Sequence, residues 1–266
     1  MSESPHPQSE PSNGRENASR RAVLTGLGAT ALSLAAAGFV APEALGASLQ
    51  DKRAQTPAAA PLEAACVLTP EQTEGPYYLD LETVRKNITE GKTGVPLTLR
   101  TTVIDTRTCA PIPNVAVDIW HCDAVGIYSG YVAGGSTPDT TFLRGVQLTN
   151  SSGVAEFTTI YPGWYVGRAL HIHLKTHVGG TVSGGTYEGG HVSHTGQLYF
   201  PENYNTQVAA LTPYRTNTAR RTLNSQDGIY RNGGSSTLLA ITLVGSTLSE
   251  GVIGTVVLGI NPTATP

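Results

Sequence analysis

The chain has 266 residues, a net charge of −3 and a charged fraction of 14%, well under the roughly 25% usual for soluble proteins. No cluster of Lys and Arg stands beyond the N-terminus, so the sequence offers no basic field for nucleic acid. Thirty glycines and 17 prolines suit short strands and turns better than long surface helices.

Residues 1–17 are polar. Ser19-Arg20-Arg21 then opens a mildly apolar stretch over 22–40, and Ala44-Leu45-Gly46-Ala47 supplies small residues for a peptidase. A charged start, an apolar middle and a small-residue end make a secretory signal over 1–47. The paired arginines resemble a bacterial twin-arginine signal, a route that exports already folded proteins. The stretch is about long enough to span a bilayer, but its Gly and Ala content favours cleavage, with no stable membrane insertion afterwards. The expected destination is periplasmic, cell-surface or extracellular. Residues 48–65 read as a linker, and 66–266 as one domain.

An oxidising destination permits a disulfide. Cys66 and Cys109 sit beside turn-like sequence and Cys122 lies in an apolar strand pattern, so the expected bridge is Cys66–Cys109.

The segment 81–90 is the one short helix the pattern offers. Residues 96–104 alternate apolar with polar, and Val115, Val117 and Ile119 alternate with Ala116, Asp118 and Trp120, as half-buried strands do. Strands are expected over 145–149 and 154–160, forming a hairpin around Asn150-Ser151-Ser152-Gly153. Further strands are expected over 170–176, 197–200, 236–243 and 252–260. Two Gly-rich loops, 132–141 and 178–196, separate them. The fold class is all-β: an antiparallel β-sandwich with long active-site loops.

Arg168-Ala169-Leu170-His171-Ile172-His173 is the most specific local feature. Residues two apart in a strand share a face, so both imidazoles would point one way and Ile172 into the core. An isolated pair of this kind is as often two hydrogen-bonded histidines as two metal ligands. A single tyrosine after a Gly turn is ordinarily a half-buried aromatic, and a lone Arg168 could be a surface ion pair. His121 reads as a packed histidine, and His177, His191 and His194 as solvent contacts.

Several segments fall in one order: Glu74-Gly75-Pro76-Tyr77-Tyr78, then Trp120 to Ser129 with its Gly-x-Tyr turn. Pro162-Gly163-Trp164-Tyr165, the Arg-x-x-His-x-His run and Gln197 follow. Together they resemble the intradiol ring-cleavage dioxygenases. The resemblance implies Fe(III) held by Tyr128, Tyr165, His171 and His173, with Tyr165 leaving the metal when substrate binds. It also implies that Arg168 stabilises charge on the bound ring and that Gln197 helps position it. The implied reaction inserts both atoms of O2 into a small aromatic diol and cleaves between the hydroxylated carbons to a cis,cis-muconate. Fe(III) favours anionic oxygen donors and accepts imidazole. Two phenolates and a hydroxide would neutralise it, and the displaced tyrosinate could take a substrate proton.

The helical N-terminal region through which many catechol 1,2-dioxygenases dimerise has no counterpart between Ser48 and Cys66, so the expected state is a monomer or a homodimer. Two other readings stand beside this one: a zinc hydrolase using the histidine pair, though no HExxH is present, and a secreted, non-catalytic β-sandwich binding module.

Overall fold

The computed structural model describes residues 66–131 and 137–266. The signal over 1–47, the linker over 48–65 and part of the 132–141 loop lie outside the described residues.

Ten strands form the body: β1 (Pro96–Asp105), β2 (Ala116–Trp120), β3 (Arg144–Leu148), β4 (Val154–Ile160), β5 (His171–Val178), β6 (Thr181–Ser183), β7 (Thr186–Glu188), β8 (His191–Tyr199), β9 (Ala240–Leu243) and β10 (Val252–Ile260). Two four-stranded sheets, ordered β4-β1-β10-β9 and β3-β2-β5-β8, form a sandwich, and β6 and β7 make a separate hairpin. The core between the sheets is built from alternate residues of both. Leu97, Leu99, Val103, Phe157, Val252 and Leu258 come from one, and Val117, Ile119, Ile172, Leu174 and Leu198 from the other.

The second sheet positions the site. All five residues of β2 are buried, so its outer face is covered as well as its inner one. The cover over that outer face includes residues 73–90 and the Tyr128–Tyr131 turn. Tyr78 packs on Trp120, and Tyr77 on Tyr128 and Tyr131.

Several expectations need correction. The segment 81–90 forms no helix. Thr83, Val84 and Asn87 each make a single bridge to Thr186, Val146 and Thr158, and the backbone turns through positive φ at Glu82 and Glu90. The sandwich is not wholly antiparallel, because β1 and β10 run parallel along their length. Strands β3 and β4 are no hairpin: the turn at 150–153 carries the chain from one sheet to the other. The expected loop over 178–196 folds as β6, β7 and the start of β8, with Tyr187 fully buried beneath it. Residues 234–237 form a 3-10 turn before β9. Among the described residues two α-helices complete the fold, α1 (Glu202–Ala209) and α2 (Gly228–Arg231). The Cys66–Cys109 disulfide is present, and Cys122 is free and buried.

Candidate metal centre and active site

His171 and His173 project from the outer face of β5 while Ile172 joins the core, and both imidazoles are buried. Their Nε2 atoms face each other at 2.9 Å. His171 Nδ1 lies 2.6 Å from the Ala169 carbonyl. A carbonyl can only accept, so Nδ1 carries the proton and Nε2 keeps its lone pair for the site. The His173 ring stacks on Trp120, centroids 5.0 Å apart and planes at 7°. Burial first, then the Arg168 charge, pushes His171 down to about 3. Burial first, then His171, pushes His173 well below its ordinary value. Both are therefore neutral imidazoles, the form that ligates metal.

Two phenols complete the cluster. The Tyr165 hydroxyl is 3.5 Å from His171 Nε2, and its ring meets Tyr128 edge-on at 5.8 Å. Gly126, at φ +89°, makes the turn that delivers Tyr128: a Cβ there would sit 2.4 Å from the Trp164 carbonyl oxygen. Tyr128 is 2% exposed, and its hydroxyl has no hydrogen-bond partner among the described residues. Burial, then Cys122 and Tyr165, raises its pKa far above that of a free phenol. Burial pushes Tyr165 up to about 12, against the downward pull of Arg168.

That donor set fits a hard trivalent cation. Two phenols that resist ionisation, Tyr128 buried and without a hydrogen-bond partner among the described residues and Tyr165 half-buried, stand beside two neutral imidazoles whose Nε2 atoms face each other. Only a strongly positive centre would ionise the phenols, and doing so satisfies the orphaned Tyr128 oxygen. Among the described residues, no three His, Cys, Asp or Glu side chains are grouped to hold a metal, so any metal bound beside the histidine pair here would take its further ligands from the phenols.

Arg168 and Gln197 meet at the edge of this cluster. Arg168 Nη2 donates to Gln197 Oε1, the Tyr199 hydroxyl donates to the same oxygen at 2.9 Å, and Gln197 Nε2 donates to the Thr73 carbonyl at 2.8 Å. Arg168 Nη1 lies 3.4 Å from both the Tyr165 oxygen and His171 Nε2. Arg168 does form an ion pair, through Nε to Asp227 Oδ2 at 2.9 Å, but a buried one. All six residues singled out by the sequence, Tyr128, Tyr165, Arg168, His171, His173 and Gln197, thus converge.

The remaining histidines divide. His121 is packed as expected, its Nδ1–H donating to the Cys122 carbonyl and its Nε2 accepting from Thr159, each at 2.8 Å. His191 is partly exposed and lies 3.1 Å from the Pro262 carbonyl. His177 and His194 are not solvent contacts. Both are buried, against Glu82 at 3.2 Å and Glu71 at 2.6 Å. Tyr77, Tyr199 and Asp227 are contributors that spacing did not assign to the site. Tyr77 stacks on Tyr128 at 4.3 Å, and its only sequence signal was the Gly-Pro-Tyr-Tyr run.

Comparison with known proteins shows which family the chain resembles. A family profile described as "Dioxygenase" matches residues 73–204. The chain is 34% identical to a solved intradiol ring-cleavage dioxygenase from Tetranychus urticae, covering 76% of this chain and 98% of that one, with a TM-score of 0.65. It is 29% identical to the dioxygenase domain of a dioxygenase carbohydrate-binding protein fusion from Streptomyces sp. SirexAA-E, covering 73% of this chain and 99% of that one, with a TM-score of 0.50. It is 30% identical over 102 residues to catechol 1,2-dioxygenase 1 of Acinetobacter lwoffii. That stretch is 36% of this chain and 32% of the relative, so the match spans about a third of that enzyme's length. With a fold and a donor set of this kind, and with identity sustained along nearly the whole of a solved member, the chain belongs to the intradiol ring-cleavage dioxygenases.

Proposed function

We propose that this protein is an exported Fe(III) enzyme that opens a catechol-type ring between its two hydroxylated carbons. It would consume one diol and one O2 to give one cis,cis-muconic acid. The observation that carries the reading is the grouping of two phenols, Tyr128 buried and Tyr165 half-buried, with two neutral imidazoles whose Nε2 atoms face each other, and with the Arg168 guanidinium beside them. Tyr128, Tyr165, His171 and His173 are the residues that would hold the metal. Ferric iron, when bound, supplies the positive charge that ionises the phenols and draws electron density from the diol.

The chain's own residues do the rest. Tyr128 is sealed, whereas Tyr165 is half-buried and is followed by Val166, 76% exposed. Tyr165 is therefore the phenol free to move, and its oxygen is the base that takes a proton from an incoming hydroxyl. Arg168 Nη1, beside that oxygen, faces negative charge as it develops on the ring, a fixed donor needing no reorganisation. Gln197, braced by Thr73 and Tyr199, holds Arg168 in plane. Tyr77 and Trp120 wall the site with ring faces and keep water from the reacting carbons.

The Cys66–Cys109 bridge supports an oxidising destination, in line with the twin-arginine signal and with substrates met outside the cytoplasm, such as fragments of plant phenolics. The protein acts as a monomer or a homodimer. Product analysis tests the reading: with isotopically heavy dioxygen, both labelled atoms should appear in a ring-opened diacid. A semialdehyde, the product of cleavage beside the diol, or recovery of intact catechol would overturn it.

A further inference from the structure

Arg168 stands on the turn leading into β5, and two of its three guanidinium nitrogens are held by protein. Nε donates to Asp227 Oδ2 at 2.9 Å. Nη2 donates to Gln197 Oε1 and, at 3.3 Å, to the Tyr199 oxygen. Only Nη1 faces the cluster, 3.4 Å from Tyr165 and from His171. The guanidinium is planar and rigid, so fixing two nitrogens aims the third.

The far end of that clamp is a fully buried carboxylate with four donors. Oδ2 accepts from Arg168 Nε and from the Ala169 N–H at 2.8 Å. Oδ1 accepts from the Ile229 and Tyr230 N–H groups at 2.8 and 3.2 Å, capping α2. The two oxygens thus do separate work, one for a short helix and the other for the turn that carries Tyr165 and Arg168. Four donors saturate a carboxylate. Burial opposes its charge, yet the Ala169 N–H and the Arg168 guanidinium hold its carboxyl below the usual range. Asp227 also lies beyond residue 204, where the family match ends.

We propose that Asp227 is a positioning residue for Arg168: its Oδ2 holds Nε and the Tyr165–Ala169 turn so that Nη1 points at the reacting ring. The assignment rests on the dioxygenase reading for what Arg168 does, but the clamp itself rests on the contacts above. A helix cap alone would need one oxygen, which serine supplies. A carboxylate supplies the counter-charge that a guanidinium otherwise lacks in a buried setting.

Asp227→Ser separates the two roles, since its hydroxyl can cap α2 while nothing remains for Arg168 Nε. The metal-free full chain shows the clamp directly, through the amide-type NMR signal of Arg168 Nε–H. That signal should exchange slowly in the wild type, and move and exchange fast in Asp227→Ser. In the iron-loaded enzyme, kcat for catechol should fall about tenfold or more with KM nearly unchanged, the size of one lost charge-assisted hydrogen bond. In an Arg168→Met background the same substitution should cost less than about twofold, because the two residues act as one unit. Equal losses in both backgrounds, or an unmoved Nε–H signal, would overturn the proposal. Should Asp227→Ser fail to fold, Asp227→Asn keeps the shape and leaves Arg168 Nε a neutral amide oxygen in place of its counter-charge, so the Nε–H signal should still move and kcat should still fall, by less than with serine; an unmoved signal overturns the proposal there too. A wild type that opens no catechol ring would defeat the dioxygenase reading, while the NMR signal would still decide the clamp.

Discussion

Metal-free protein should lose stability steeply as the pH falls from neutral towards 5, and the buried histidines set the size of the loss. Burial pushes His121 down to about 4 and His171 down to about 3, from an ordinary 6.5. Below the ordinary value, the unfolded chain binds a proton that the folded chain refuses. The stability they contribute is therefore present above the unfolded pKa and is lost as the pH falls towards the folded one. At about 1.4 kcal/mol per pH unit per group, each loses about 2 kcal/mol between pH 7 and 5. His173, held well below its ordinary value, and His177, pushed down to about 4 by burial and then by Lys175, act in the same direction. Asp118 opposes them. Burial pushes it up to about 8, so the folded state keeps a proton the unfolded chain releases, which adds roughly 2 to 3 kcal/mol of stability over the same interval. Glu82, raised by burial, opposes them too, but the four histidines outweigh both carboxyls and leave a net loss of several kcal/mol, a large share of the ~5–15 kcal/mol that holds a domain together. Urea unfolding at pH 7, 6 and 5, followed by tryptophan fluorescence, should show the midpoint falling at each step, and His121→Gln should remove its share of the slope. A midpoint that holds or rises towards pH 5 would refute buried, neutral histidines.

Two further outcomes follow from the packing. Gly126→Ala should destabilise by about 2–4 kcal/mol, since a Cβ at φ +89° would meet the Trp164 oxygen at 2.4 Å, adding left-handed strain to overpacking; thermal unfolding reads it. It should also weaken iron binding, because the turn that delivers Tyr128 must shift. Replacing Cys66 and Cys109 by serine should cost about 4 kcal/mol in reversible denaturation, from the closure entropy of a loop with a sequence separation of 43. Reduction with dithiothreitol should reproduce that loss in the wild type but not in the double variant.

The strands over 96–104 and 252–260 were legible because alternation, or a run of β-branched residues, leaves few other solutions. The histidine pair was legible because a strand's two-residue period puts His171 and His173 on one face whatever the sheet around them. Residues 81–90 misled because Leu81, Val84 and Ile88 fall at helical spacing. In the fold, the segment's backbone is stitched to three different neighbours: Val84 N–H to Gly185, Arg85 N–H to Val146 and Ile88 N–H to Thr158. Local pattern carries no trace of partners so far along the chain. The same limit hid the parallel pairing of β1 with β10 and the burial of His177 and His194 against Glu82 and Glu71. Helix α1 buries only Asn205 and Val208, too little apolar surface to show a 3.6-residue period. Within the site, the ligand-type residues stood in recognisable runs, whereas Asp227 is one carboxylate before a glycine, and its meaning appears only when the fold brings Arg168 to it.

The most direct test is the visible spectrum of the iron-reconstituted protein, recorded for the wild type and for Tyr165→Phe before and after catechol is added in air. The account predicts a red-to-purple wild-type protein whose band changes with catechol and recovers as muconate absorbance grows. The variant should show an altered colour and slower turnover. A protein that stays colourless after ferric reconstitution, or a Tyr165→Phe variant matching the wild type in both spectrum and rate, would contradict it.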